Sequence, residues 1–299
     1  MRFSILRLDQ LIGPDKLDLF NKIDIDAETT GYASIRGADS YKLSGKYFAK
    51  KGKEIKSELL DKTCAPYWTS TKAKKTLGST YAIKGLDAAP VTAWDDNTGV
   101  RVCVPFTEIA NNARDMRTIN TDNGPIKEFI YGEMPQRTVK HEEAEELWKK
   151  YESGELKPTG RTYSAWGYKV ELFYDGNEYA FEKDEYPEYE INGHRYVMTK
   201  LSTFHNGSPR EKWVEVEPIE WYLDEKSGLA ISKKVLLGGM PISKKGIYFG
   251  NFDNTVIGKF LDEEFGYDIE EKRQIKENVL NEMFEQDNIE EEQEKRLSL

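Results

Sequence analysis

Residues Trp213–Lys234 set the strongest constraint on what this chain can fold into. Val214, Val216 and Ile219 fall between charged residues, Glu217-Pro218 interrupts the pattern, and Trp221-Tyr222-Leu223 runs into Asp224-Glu225-Lys226-Ser227-Gly228. Leu229-Ala230-Ile231 follows as a short apolar run. Alternation on either side of a Gly-containing turn predicts a β-hairpin, because the side-chain period of a strand is two and the turn must reverse the chain. Pro218 cannot donate to a ladder, so it marks an irregularity in the first strand.

The same signal recurs. Tyr189 and Ile191 lead into Asn192-Gly193, then Tyr196 and Met198 alternate, which predicts a second hairpin. Val170, Leu172 and Tyr174 alternate before Asp175-Gly176. Upstream, Thr80–Ile83 and Val91–Trp94 read as strands, Asp95–Gly99 as a turn, and Val100–Phe106 as a strand ended by Pro105. Ile126–Tyr131 is a further strand. Residues 26–45 carry Gly31, Gly37 and Gly45 and suggest short strands or turns.

Helices are fewer. Leu17, Leu19, Phe20 and Ile23 give a helical turn or two, and Ile55 with Leu59 fits a short helix in the lysine-rich stretch 46–62. Ala144, Leu147, Trp148 and Tyr151 form one stripe over 140–153, with Gly154 placed to cap the C-terminus. Asn254-Thr255 starts a helix carrying Val256, Ile257, Phe260, Leu261 and Phe265, closed by Gly266. The fold class expected is α+β, mostly antiparallel sheets with a few flanking helices. Aromatic content of 12% supports the β-rich reading.

Charge and cysteine usage exclude several roles. With 43 Lys and Arg against 53 Asp and Glu, the formal charge is −10, which argues against a nucleic acid or an anionic membrane as main partner. No run is long enough to span a membrane, and Met1–Asp9 lacks the apolar core of a signal peptide. Synthesis in the cytoplasm is expected, with residence there or in a virion. Cys64 and Cys103 are too few for a disulfide framework or a zinc ribbon.

The search for chemistry yields little. His141, His194 and His205 have no metal spacing, no Gly-x-Ser-x-Gly elbow occurs, and Leu237-Gly238-Gly239 lacks the Lys and Ser/Thr of a phosphate loop. Arg101 lies two residues from Cys103 and would share its strand face, which suggests a lowered thiol pKa; lone cysteines are more often structural. Trp94-Asp95-Asp96-Asn97-Thr98-Gly99 offers carboxylates, but too few local oxygens to fill a Ca²⁺ shell. Glu215 and Glu217 on one strand read as outward-pointing charges. The sequence therefore calls for no cofactor and no metal.

Several segments together carry a resemblance. Tyr131-Gly-Glu-Met-Pro-Gln136, Pro218-Ile-Glu-Trp221, Leu229-Ala-Ile-Ser-Lys-Lys234 and Thr255–Phe265 are similar to motifs of a domain family of unknown function from gut Firmicutes and their phages. That family orders a YGxYPQ-like strand, PIEW, a Leu-Ile-Ser-Lys strand, a helix, a YWxS strand and a closing GVRP strand. Here Tyr67-Trp-Thr-Ser70 and Gly99-Val-Arg-Val-Cys-Val-Pro-Phe106 match the last two, yet precede the others. The resemblance covers most of residues 30–266 and implies a circular permutation, the alternative being two incomplete domains in tandem. It also implies, more distantly, the C-type-lectin-like fold of formylglycine-generating and sulfatase-modifying proteins. That oxygenase chemistry needs cysteines close in the chain, which Cys64 and Cys103 are not.

The expected organisation is one module over 1–266, built from 1–112 and 125–266 around a linker at 113–124. An amphipathic helix and acidic tail follow over 267–299, with Ile275, Val279, Leu280, Met283 and Phe284 at helical spacing. The expected role is binding or assembly without catalysis, phage- or prophage-associated, recognising a protein or a glycan. Self-association or a place in a virion are further options, and an enzyme with an unrecognised pocket is the alternative. The contact candidates are Tyr67, Trp68, Trp94, Asp95, Asp96 and Arg101, since Trp and Tyr give contact area at low entropic cost; the alternative is that the aromatics are core, which for Trp68 and Trp221 is the better reading.

Overall fold

A computed structural model of the chain describes residues 2–42, 59, 62–74, 76, 78–168, 181–200, 211–243 and 246–271. The strands in chain order are β1 (Ser4–Ile5), β2 (Tyr41–Lys42), β3 (Thr63–Cys64), β4 (Tyr67–Lys72), β5 (Ser79–Lys84), β6 (Asp87–Thr92) and β7 (Val102–Pro105). Then come β8 (Arg114–Thr121), β9 (Gly124–Thr138), β10 (Pro158–Tyr168), β11 (Phe181–Ile191), β12 (His194–Lys200), β13 (Glu211–Asp224) and β14 (Leu229–Ser232). The α-helices are α1 (Leu8–Ile12), α2 (Leu19–Lys22), α3 (Gly31–Ile35), α4 (Phe106–Ile109), α5 (His141–Glu152) and α6 (Val256–Phe260). The architecture is α+β and mostly antiparallel.

Strand β13 is the trunk of a nine-stranded sheet. Val214 pairs with Val197 of β12 and with Thr138 of β9, so those two strands lie on opposite edges of β13. Farther along, Trp221 pairs with Ser232 of β14 and Phe129 of β9. One edge of β13 therefore takes β12 first and β14 later, while β9 runs the length of the other edge. The register shifts at Glu215/Val216 and Pro218/Glu220, where Pro218 has no N–H to give. Beyond β14 the sheet continues through β7 to β1, and beyond β12 through β11 to β10. A separate sheet of β4, β5 and β6 stands beside it.

The alternation seen in the sequence sorts side chains onto two faces. Val216, Ile219 and Trp221 share one core cluster with Val100, Val102 and Val104. Ile231 points to the opposite face, with its register partner Cys103 and with Tyr222. Phe3, Phe260 and Phe265 close the first face, with the Phe3 and Phe265 rings edge-to-face at 5.0 Å. Helix α5 covers a third cluster, in which Trp148, Tyr151 and Tyr189 meet Trp213 at ring separations of 5.7–6.0 Å. Gly238 sits where a Cβ would lie 2.1 Å from the Ala33 carbonyl oxygen, so the approach of this loop to α3 requires glycine.

Four expectations are corrected. Residues 113–124 are not a linker: β8 pairs with β9 across a tight turn at Asp122-Asn123. Gly31 begins helix α3, with Thr30 as its N-cap accepting the Ala33 N–H, where turns or strands were expected. The Thr255-capped helix does not close at Gly266 but continues in wider π-type turns to Glu271. Phe106, read as the end of a strand, begins helix α4. Ile55, the Val170–Tyr174 alternation, His205 and the helix expected from Ile275 onward lie outside the described residues.

Candidate functional site

Three of the six contact candidates are core residues. Trp68 is fully buried, and its indole N–H donates to the Met240 carbonyl at 3.0 Å. Tyr67 is equally buried and its hydroxyl donates to the Ile25 carbonyl. Arg101, 1% exposed, lies between the Phe20 and Tyr67 rings at 5.6 and 5.5 Å and donates to the carbonyls of Ser232 and Ile25. Buried polar groups of this kind must find partners, and these have found them inside the protein. Asp96 is also buried.

Trp94 and Asp95 do reach the surface. Trp94 follows β6 and is 47% exposed. The chain segment after Ile242 crosses this end of the small sheet: Ser243 N–H donates to the Ala93 carbonyl and Tyr248 N–H to the Gly78 carbonyl. Tyr248 is buried, with its hydroxyl donating to the Ser70 carbonyl at 2.7 Å. With Tyr248 anchored inward, its neighbours Ile247 and Phe249 project outward, 42% and 80% exposed. Gly246 backs onto the Trp94 ring, where an added Cβ would stand 3.5 Å from it. Trp94, Ile247 and Phe249 thus expose apolar side chains on a backbone held by hydrogen bonds to the residues that flank β5 and β6. Ile247 and Phe249 were missed because no periodicity marks them; the strength of the segment is tertiary.

The Asp95 carboxylate, next to Trp94 in the chain, is occupied. It accepts from the Thr98 hydroxyl at 2.6 Å and the Asn97 amide at 3.4 Å. The loop therefore spends its oxygens on its own turn. Among the described residues no group of three or more His, Cys, Asp or Glu could hold a metal ion.

Polar clusters elsewhere are built for cohesion. Arg161, 4% exposed, donates to the carbonyls of Glu133, Asp268 and Ile269, and lies 3.7 Å from Glu188. Arg195 joins Glu133 at 2.6 Å, and Tyr163 donates to Glu188 at 2.9 Å. This buried network ties the C-terminal helical segment to β9–β12. On another face, His194 Nδ1 meets Glu215 Oε1 at 2.7 Å, and Arg137 bonds Glu215 and lies 3.7 Å from Glu217. Burial, with the Glu215 charge adding to it, pushes the Glu217 carboxyl above the usual range. Glu215 is buried, so it does not read as a solvated charge.

Neither cysteine is poised to react. Both are buried, and burial pushes each thiol up to about 12; for Cys64 the Asp26 charge adds to the effect. The Arg101 charge pulls Cys103 back only in part, because burial is the larger effect. A thiol this far above neutral pH is almost entirely protonated and a poor nucleophile.

No family model, curated protein or solved structure matches the chain.

Proposed function

We propose that the protein is a non-enzymatic binding or assembly module whose contact surface is the Trp94–Ile247–Phe249 edge. The observation that carries the reading is a half-exposed Trp94 against Gly246, in a segment that three residues on exposes Phe249 to 80% while Tyr248 is buried. Aromatic and aliphatic groups held rigidly at the surface give contact area with little ordering entropy, the pattern of interface anchors. A protein partner suits this edge better than a glycan. Sugar recognition needs free polar acceptors next to the ring face, and the Asp95 oxygens are already hydrogen-bonded.

The phage or prophage association and the permuted, lectin-like arrangement are part of the same proposal. The phage association rests on the motif resemblance alone, whereas the permuted arrangement is supported by β7, from the GVRP-like segment, pairing directly with β14, from the Leu-Ile-Ser-Lys-like segment. Motifs out of order along the chain are thus neighbours in one sheet. The test is affinity capture from host cells or virions, run beside a glycan array. Specific capture that is lost in Phe249→Ala supports the reading. Glycan binding without protein capture would replace the partner class.

A further inference from the structure

Exposed lysines and exposed apolar side chains share two segments that the β4–β6 sheet holds together. The β4–β5 turn is closed by the Ala73 N–H, which donates to the Ser79 carbonyl at 2.9 Å. The segment after Ile242 is fastened to this turn: the Tyr248 N–H donates to the Gly78 carbonyl at 3.0 Å, and the Tyr248 hydroxyl to the Ser70 carbonyl at 2.7 Å. Those two bonds bracket Lys72 and Lys74 in the chain, and both lysines are exposed. Among the described residues neither lysine side chain makes an ion pair or a hydrogen bond. Residues 71–78 and 242–250 together hold five lysines and no acidic residue, in a chain of net charge −10. The acids nearest in sequence to Trp94 and Phe249 are engaged, Asp95 by Thr98 and Asp253 by Arg2.

The reverse composition lies at the C-terminus. Residues 277–294, outside the described part of the structure, hold eight acidic residues and no basic one, interspersed with Val279, Leu280, Met283, Phe284 and Ile289. An acidic, apolar segment matches a lysine-bearing apolar surface in both charge and hydrophobicity. The helical turns between the two begin beside the lysine segments, where the Val256 N–H donates to the Ile242 carbonyl at 3.0 Å, and end at Glu271. They span about 20 Å, so the acidic segment leaves the fold well away from the start of this helix.

We propose that the acidic segment 277–294 of a second copy of this chain docks on the surface that bears Lys72, Lys74, Trp94, Ile247 and Phe249. The proposal rests on reading those apolar side chains as a contact surface, and it names their partner. The net charge of −10 opposes association at long range, but salt screens that repulsion beyond about 8 Å, and local charges decide the contact. A contact between two different patches is head-to-tail, so it closes into a ring or extends into a filament.

The test is light scattering and sedimentation velocity on the full chain from about 1 to 100 μM, at low and high salt. Wild type is expected to self-associate, and about 0.5 M NaCl should weaken the association about tenfold or more. Lys72→Glu/Lys74→Glu should be monomeric, and so should Glu290→Lys/Glu291→Lys/Glu292→Lys, because each weakens the opposition of charge across the contact. Combining both sets in one chain restores opposite charges and should restore association, which a merely unfolded variant cannot do. A wild type monomeric throughout, an unchanged Lys72→Glu/Lys74→Glu variant, or no rescue in the combined variant overturns the proposal. A monomeric wild type that pellets with phosphatidylserine vesicles assigns the lysines to a lipid surface instead. A monomeric wild type that captures a different protein through Phe249 keeps the contact surface and removes the second copy as its partner.

Discussion

Trp68→Phe separates a core tryptophan from a contact tryptophan. The indole is fully buried and its N–H is the donor to the Met240 carbonyl. Phenylalanine removes that donor, and an orphaned buried carbonyl costs about 1–3 kcal/mol. The smaller ring also leaves a partial void, adding about 1–2 kcal/mol as in other large-to-small core changes. The expected loss is about 2–5 kcal/mol, which for a domain of this size lowers Tm by roughly 5 °C. Urea unfolding followed by far-UV circular dichroism reads it without depending on the deleted fluorophore. Phe249→Ala, at an 80%-exposed position, should shift stability by less than about 0.5 kcal/mol in the same assay. A Trp68→Phe change under about 0.5 kcal/mol would refute the core assignment and return Trp68 to the contact surface.

Three further outcomes follow from the buried polar groups. In native protein at pH 8, neither Cys64 nor Cys103 should react with Ellman's reagent on the timescale of free thiols, and both should react in guanidinium; a fast native thiol would contradict the burial. Glu128 is opposed by burial, but its hydrogen bonds from Lys233 and Arg117 prevail and hold its carboxyl below the ordinary 4.5. Its contribution is therefore present above that ordinary value and is lost as pH falls through the depressed one, so Glu128→Gln should flatten the acid limb of stability against pH; an unchanged limb would contradict the ion pair. Arg161→Met removes the donor to the Asp268 and Ile269 carbonyls and leaves Glu188 short of a partner, so it should destabilise by about 3–5 kcal/mol; denaturant melting with no loss would mean the C-terminal segment is held by apolar packing alone.

The legible parts of the fold are those in which local pattern and tertiary environment agree. The β13–β14 hairpin, the Asn192-Gly193 turn, helix α5 with Gly154 at its end and the Thr255 N-cap all follow from alternation, turn chemistry and capping residues. Strand β8 was illegible because it is mostly exposed: Arg114–Thr121 carries no apolar alternation, and only pairing with β9 makes it a strand. The π-type continuation past Gly266 was hidden for a related reason. Its stability comes from Asp268, which accepts the Ser164 N–H on the outer edge of β10, a contact 104 residues distant in the chain. Of the candidate site, Trp94 and Asp95 were readable as a turn with an aromatic. Ile247 and Phe249 were not, because their exposure is set by the inward anchor of Tyr248 on Ser70.

The most direct test of the contact edge compares wild type with Trp94→Ala/Phe249→Ala in affinity capture from the native host or virion, with the captured species sized by size-exclusion chromatography and light scattering. Both proteins should melt within about 1 kcal/mol of each other, since these side chains lie at the surface. The predicted result is a defined complex with a partner protein for the wild type and none for the double variant. A wild type that stays strictly monomeric without a partner, or a double variant that keeps the same complex, would contradict the proposed binding role of this edge.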